Sequence, residues 1–140
     1  MNLTRRQALI TAMSAAAVAG ILPRSASATT LEEAIAAFTG GADAAEGGII
    51  LTAPEIAENG NTVPVEVEAE GATRITLFAA GNPSPGVVTF AFGPLAAVSR
   101  GSTRIRLAGT QDVVAVAEMA DGSYQMVAQE VKVTIGGCGG

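Results

Sequence analysis

The chain has 140 residues, no histidine, no tryptophan, a single cysteine and a formal net charge of −5 at pH 7. Without histidine and with one thiol, a Ser/His/Asp triad, a Cys/His dyad and a zinc site of the usual ligands are all excluded. All 13 acidic residues lie after residue 28, against Arg74, Arg100, Arg104, Arg106 and Lys132, so this stretch carries −8 and disfavours nucleic acid and membrane-surface partners.

Residues 1–28 read as an export signal: a basic start, an apolar stretch from Ala8 to Leu22, Pro23, and the small-residue cleavage pattern Ala26-Ser27-Ala28. The apolar stretch falls short of the about 20 residues that span a bilayer, which favours cleavage over a retained anchor. Thr4-Arg5-Arg6 followed by Leu9 is similar to a twin-arginine signal, the kind that exports folded proteins, with departures at Ala8 and Ile10. An ordinary secretory signal is the alternative. Either one places the mature chain, expected from Thr29, outside the cytoplasm, where the periplasm is the expected compartment.

Residues 29–135 are expected to form one domain. Thr30-Leu31-Glu32-Glu33 fits a capping box, Leu31, Ala34, Ile35 and Phe38 recur at helical spacing, and Gly40-Gly41 ends the pattern, so one short amphipathic helix is predicted. From Gly47 the period becomes two. Ile49 to Thr52 is a short apolar run, Glu58 to Asn61 has turn chemistry, and Val63 to Glu70 alternates strictly, with Pro64 suited to a strand start or an edge. Thr73 to Ala80 follows, then the proline-stiffened loop Gly81 to Gly86. Val87 to Phe92 reads as a strand covered on both faces. Further runs are Ala96 to Ser99, Ser102 to Leu107, Val113 to Met119 and Tyr124 to Ile135, the last two joined by the hairpin signal Ala120 to Ser123. Seven or eight short strands with frequent turns imply an all-β, immunoglobulin-like β-sandwich preceded by a short N-terminal helix; an open barrel is the alternative.

Few residues are left to do chemistry. Glu66, Glu68 and Glu70 share the polar face of an alternating strand, a pattern of solvated surfaces more than of acid–base catalysis, and Arg100, Arg104 and Arg106 read the same way. Residues 136–140, Gly136-Gly137-Cys138-Gly139-Gly140, put the lone thiol among glycines, which accept almost any backbone angle, so a thin, flexible arm is expected. It could reach about 10 Å beyond Ile135, taken as the last strand residue. A catalytic thiol needs a rigid surrounding shell, and a free thiol with a pKa near about 8.5 is only a few per cent thiolate at neutral pH, so activation has to come from another protein. Carriage of a covalent group fits this pattern. Three other readings stay open on composition alone: an inert tail on a periplasmic Ig-like binding module, an intermolecular disulfide or thiol-redox handle, and lipid attachment.

The export signal, the helix, Pro54 to Glu70 (PEIAENGNTVPVEVEAE), the Gly81 to Pro85 loop (GNPSP) and the terminal GGCGG together resemble the SoxY family, sulfur-carrying subunits of the periplasmic thiosulfate-oxidising (Sox) system. The resemblance implies a non-catalytic carrier without a cofactor, on which sulfur intermediates are attached covalently to Cys138, with Gly136, Gly137, Gly139 and Gly140 as its arm. It further implies a heterodimer with SoxZ and transient encounters with the c-type cytochrome SoxAX, the hydrolase SoxB and, where present, the sulfane dehydrogenase SoxCD.

Overall fold

A computed structural model describes residues 29–136; the expected export signal and Gly137, Cys138, Gly139 and Gly140 lie outside the described residues. The first element, α1 (Leu31–Thr39), starts where its cap dictates. The Glu33 N–H donates to Thr30 Oγ1 at 3.2 Å and the Thr30 N–H to Glu33 Oε2 at 2.9 Å, while Gly40 closes the helix at φ 67°.

Nine strands follow: β1 (Ala44–Glu46), β2 (Ile50–Thr52), β3 (Ile56–Ala57), β4 (Val63–Glu68), β5 (Ala72–Ala79), β6 (Gly86–Ala91), β7 (Arg100–Ile105), β8 (Gln111–Met119) and β9 (Tyr124–Val133). The larger sheet has the order β1-β9-β8-β5-β6, with β3 pairing the far end of β9, and the smaller has the order β2-β4-β7. β1 and β3 both run parallel to β9, at Tyr124–Met126 and at Lys132–Val133; all other pairings are antiparallel.

Alternation decides which faces meet. In β4, Val63, Val65 and Val67 turn inward and are buried, opposite Ile75 and Leu77 of β5 and Val113, Ala115 and Ala117 of β8, and together with Ile105, Leu107 and Val131 they make one core between the sheets. Burying each of the larger side chains contributes about 1.5–3 kcal/mol. The outer face of the larger sheet has a second, smaller cluster. Phe78, Val114 and Val116 lie there under Leu31, Ala34, Ile35 and Phe38 of α1, so the helix is a lid on the sheet. The chain is an immunoglobulin-like β-sandwich with a short helix in front of it.

Three local expectations change. Ala96 to Ser99 is not a strand: it follows Pro94 through turns and bends, with Leu95 98% exposed, and β7 begins at Arg100. β6 is the edge of its sheet and half-buried, although its apolar run suggested cover on both faces; its Phe90 ring lies where a Cβ on Gly101 would sit, 2.6 Å from the nearest ring atom, closing the gap to β7. Pro64 is the second residue of β4, a strand start as expected; β4 is the central strand of the smaller sheet, but β2 ends opposite Glu66, so Pro64 has a paired neighbour on one side only. Finally, β9 stops at Val133 and not at Ile135.

Candidate functional site

The last described residues are held by two separate stretches, the second of which is fixed by a third. Gln111 opposite Val131 is the end of the β8–β9 ladder. Beyond it, the backbone bonds of the outgoing chain turn to the segment after β2: Lys132 N–H donates to Glu55 O at 2.9 Å and Thr134 N–H to Ala57 O at 3.1 Å, and Ile135 O accepts from Gly60 N–H at 2.7 Å. Thr134 Oγ1 adds a bond to Glu58 O at 3.0 Å, and Val133 N–H reaches Thr110 Oγ1 at 3.0 Å. Ala57-Glu58-Asn59-Gly60, which runs from the end of β3 into the expected Glu58 to Asn61 turn, is therefore also the strip along which the chain leaves the sheet.

The second stretch is the loop between β7 and β8. Its Leu107 N–H donates to Gly60 O at 2.7 Å, and Leu107 is fully buried. A Cβ built on Gly136 would collide with the Ala108 carbonyl oxygen, a backbone atom that cannot step aside cheaply. Close approach is thus a reason for glycine at position 136 that is independent of any freedom of an arm.

The third stretch is the Gly81 to Pro85 loop, which fixes the second from below. Asn82 Nδ2 donates to Arg106 O at 2.8 Å, and Asn82 Oδ1 accepts from Ala108 N–H and from Gln111 Nε2, both at 2.9 Å. Gln111 in turn donates to Gly109 O at 3.0 Å and accepts from Gly81 N–H at 2.8 Å. Both residues are 8% exposed. Buried amides with nearly all their bonds made define one geometry, because each lost partner leaves a desolvated group unsatisfied. Asn82, Gln111, Thr110 and Thr134 are not legible as a group, since four polar residues spread over 53 positions share no spacing; an amide within the Gly81 to Pro85 loop is the only local signal.

The charged candidates behave as surface. Glu66 pairs with Arg100 at 2.7 Å across β4 and β7, and the carboxylate raises the Arg100 pKa through that hydrogen bond first and its charge second. Arg74 pairs with Glu118 and lies over the Phe38 ring, 4.9 Å from its centroid. Among the described residues there is no group of three or more His, Cys, Asp or Glu able to hold a metal ion, and no helix is long and apolar enough to cross a membrane. Gly136 is the one arm glycine within the described residues; Gly137, Cys138, Gly139 and Gly140 lie outside them.

The fold, an immunoglobulin-like sandwich with a helical lid, defines the class. Superoxide reductase (neelaredoxin) from Ignicoccus hospitalis shares it at a TM-score of 0.55 and 19% identity, over 62% of this chain and 80% of that one, a likeness of fold alone. The sulfur carrier protein SoxY from Chlorobium limicola f thiosulfatophilum is 42% identical with a TM-score of 0.67, over 78% of this chain and the whole of that one. The family profile described as sulfur oxidation protein SoxY matches residues 35–138. No relative matches among curated proteins. The chain belongs to the SoxY family of sulfur oxidation proteins.

Proposed function

We propose that the protein is a non-catalytic sulfur carrier of periplasmic thiosulfate oxidation, with Cys138 as the point of covalent attachment. The observation that carries this reading is that the family match extends to residue 138, the only thiol in a chain with no histidine. The chemistry then has to be completed by other proteins. In the first step the Cys138 thiol and thiosulfate are coupled oxidatively: an S–S bond forms, one proton leaves, and two electrons pass to a c-type cytochrome, SoxAX. In the second, water supplied at SoxB cleaves the terminal sulfonate as sulfate and a proton, leaving a persulfide on Cys138. SoxCD, where present, oxidises the remaining sulfane sulfur.

A carrier needs a thiol that enters several different sites, and glycines on both sides of Cys138 offer those sites no side chains to exclude. The partner reading is a heterodimer with SoxZ, exported together through the twin-arginine-like signal of residues 1–28. Replacing Cys138 by Ser is expected to leave the thermal midpoint and SoxZ binding unchanged and to abolish thiosulfate-dependent reduction of the cytochrome. Cytochrome reduction that survives the substitution would remove Cys138 from the reaction.

A further inference from the structure

We propose that Ala57–Gly60, Asn82 and the Arg106–Gln111 loop form a seat that fixes the root of the carrier arm through Gly136, with Asn82 as its positioning residue. The proposal rests on the carrier reading given above.

Two features of this corner exceed what a loop between two strands requires. One is the direction of the bonds. The β7–β8 loop could be closed by its own turn, yet Asn82 takes the Ala108 N–H and the Arg106 carbonyl from outside it, at 2.9 and 2.8 Å, and so sets the height of the Ala108 carbonyl. That carbonyl is the atom against which Gly136 lies. The other is that Gly60 bonds to both layers, accepting from Leu107 and donating to Ile135, so loop and outgoing chain are registered on the same residue. The sequence of contacts Asn82, Ala108, Gly136 and Leu107, Gly60, Ile135 is closed on both sides.

The consequence is a short tether. Cys138 is two residues past Gly136, so with the root seated its Cα stays within about 7 Å of Gly136, at about 3.3–3.6 Å per extended residue. Were the chain released from Val133 onward, five residues would separate Cys138 from its anchor and the reach would grow to about 17 Å. The seat thus keeps the thiol in a small volume near one end of the sandwich, where an enzyme docked on the domain meets it at high effective concentration. That concentration falls with roughly the −3/2 power of tether length, about fourfold for the change from two residues to five.

The test uses the full chain, whose single cysteine takes one nitroxide label, with a second label on Ser102→Cys, an exposed position on β7. Pulsed electron paramagnetic resonance then gives the distribution of distances between the two. Asn82→Ala, Gly136→Ala and Thr134→Val are each expected to broaden that distribution, about twofold for full release. Thr134→Val removes one exposed hydroxyl bond and Gly136→Ala sets one methyl against the Ala108 carbonyl at the exposed end of the chain, so both remain informative if Asn82→Ala does not fold. In the thiosulfate coupling assay the same variants, unlabelled and without Ser102→Cys, should raise the carrier KM about fourfold with kcat retained, with the carrier concentration taken as the folded fraction measured by circular dichroism, because unfolded carrier alone would also raise the apparent KM. Folded variants with the distribution and KM of the starting protein overturn the proposal, as does a starting distribution already as broad as theirs. Failure of the starting protein to couple thiosulfate would sink the carrier reading, while the distance measurement would still decide the seat.

Discussion

Gly136 has no Cβ because the Ala108 carbonyl occupies the place where one would go, and Gly101 has none because the Phe90 ring does. The same residue type serves a different need at Gly122, where the β8–β9 hairpin requires a left-handed backbone at φ 83°. Beside it, Asp121 Oδ1 accepts from both the N–H and the hydroxyl of Ser123, at 2.9 and 2.6 Å, and these bonds hold its pKa below the ordinary 3.8. A depressed carboxylate contributes stability that is present above its unfolded pKa and lost as pH falls through the lower, folded value. Asp121→Asn should therefore lower the thermal midpoint slightly at neutral pH, where the carboxylate's contribution is fully present, and bring the two proteins together as pH falls below 3.8, measured by thermal melts across that range.

At the scale of elements, α1 and β9 show where the sequence was explicit and where it was silent. The capping box, the helical stripe and the Gly40 stop are local signals, and all three hold in the structure. So does the alternation of β4, since a period of two survives any tertiary arrangement. The end of β9 was misplaced by two residues because Thr134 and Ile135 continue the strand-like pattern while their backbone bonds leave β8 for Ala57 and Gly60, a choice made by distant residues. Val98, in the expected strand Ala96 to Ser99, is exposed, an outcome hidden for a related reason: an apolar residue in a loop carries no mark that it will face solvent. β1 and β3, three and two residues long, exist only because β9 offers them a parallel edge. The helix itself is anchored chiefly by Phe38, whose ring meets Phe78 and Tyr124 edge-on at 6.4 and 5.9 Å. Phe38→Ala should cost about 2 kcal/mol in denaturant unfolding, less than a fully buried phenylalanine, with the sandwich retained.

Across the whole molecule, two sheets enclose one core, a helix covers the outer face of the larger, and the chain leaves at a corner fastened by the two motifs that also carry the family resemblance, AENG and GNPSP. The fold was legible because strand periodicity and turn residues are short-range. The composition of the corner was not, because it depends on which loops the topology brings together. Cys138 stood out for the opposite reason: its meaning comes from what the rest of the chain lacks. The central claim is that this thiol carries sulfur. It is tested most directly by intact-mass measurement of the full chain after incubation with thiosulfate, SoxZ, SoxAX and oxidised cytochrome, followed by peptide mapping. The account predicts a thiosulfate adduct confined to Cys138 that SoxB converts to a persulfide; an unmodified thiol, or a disulfide-linked dimer alone, would contradict it.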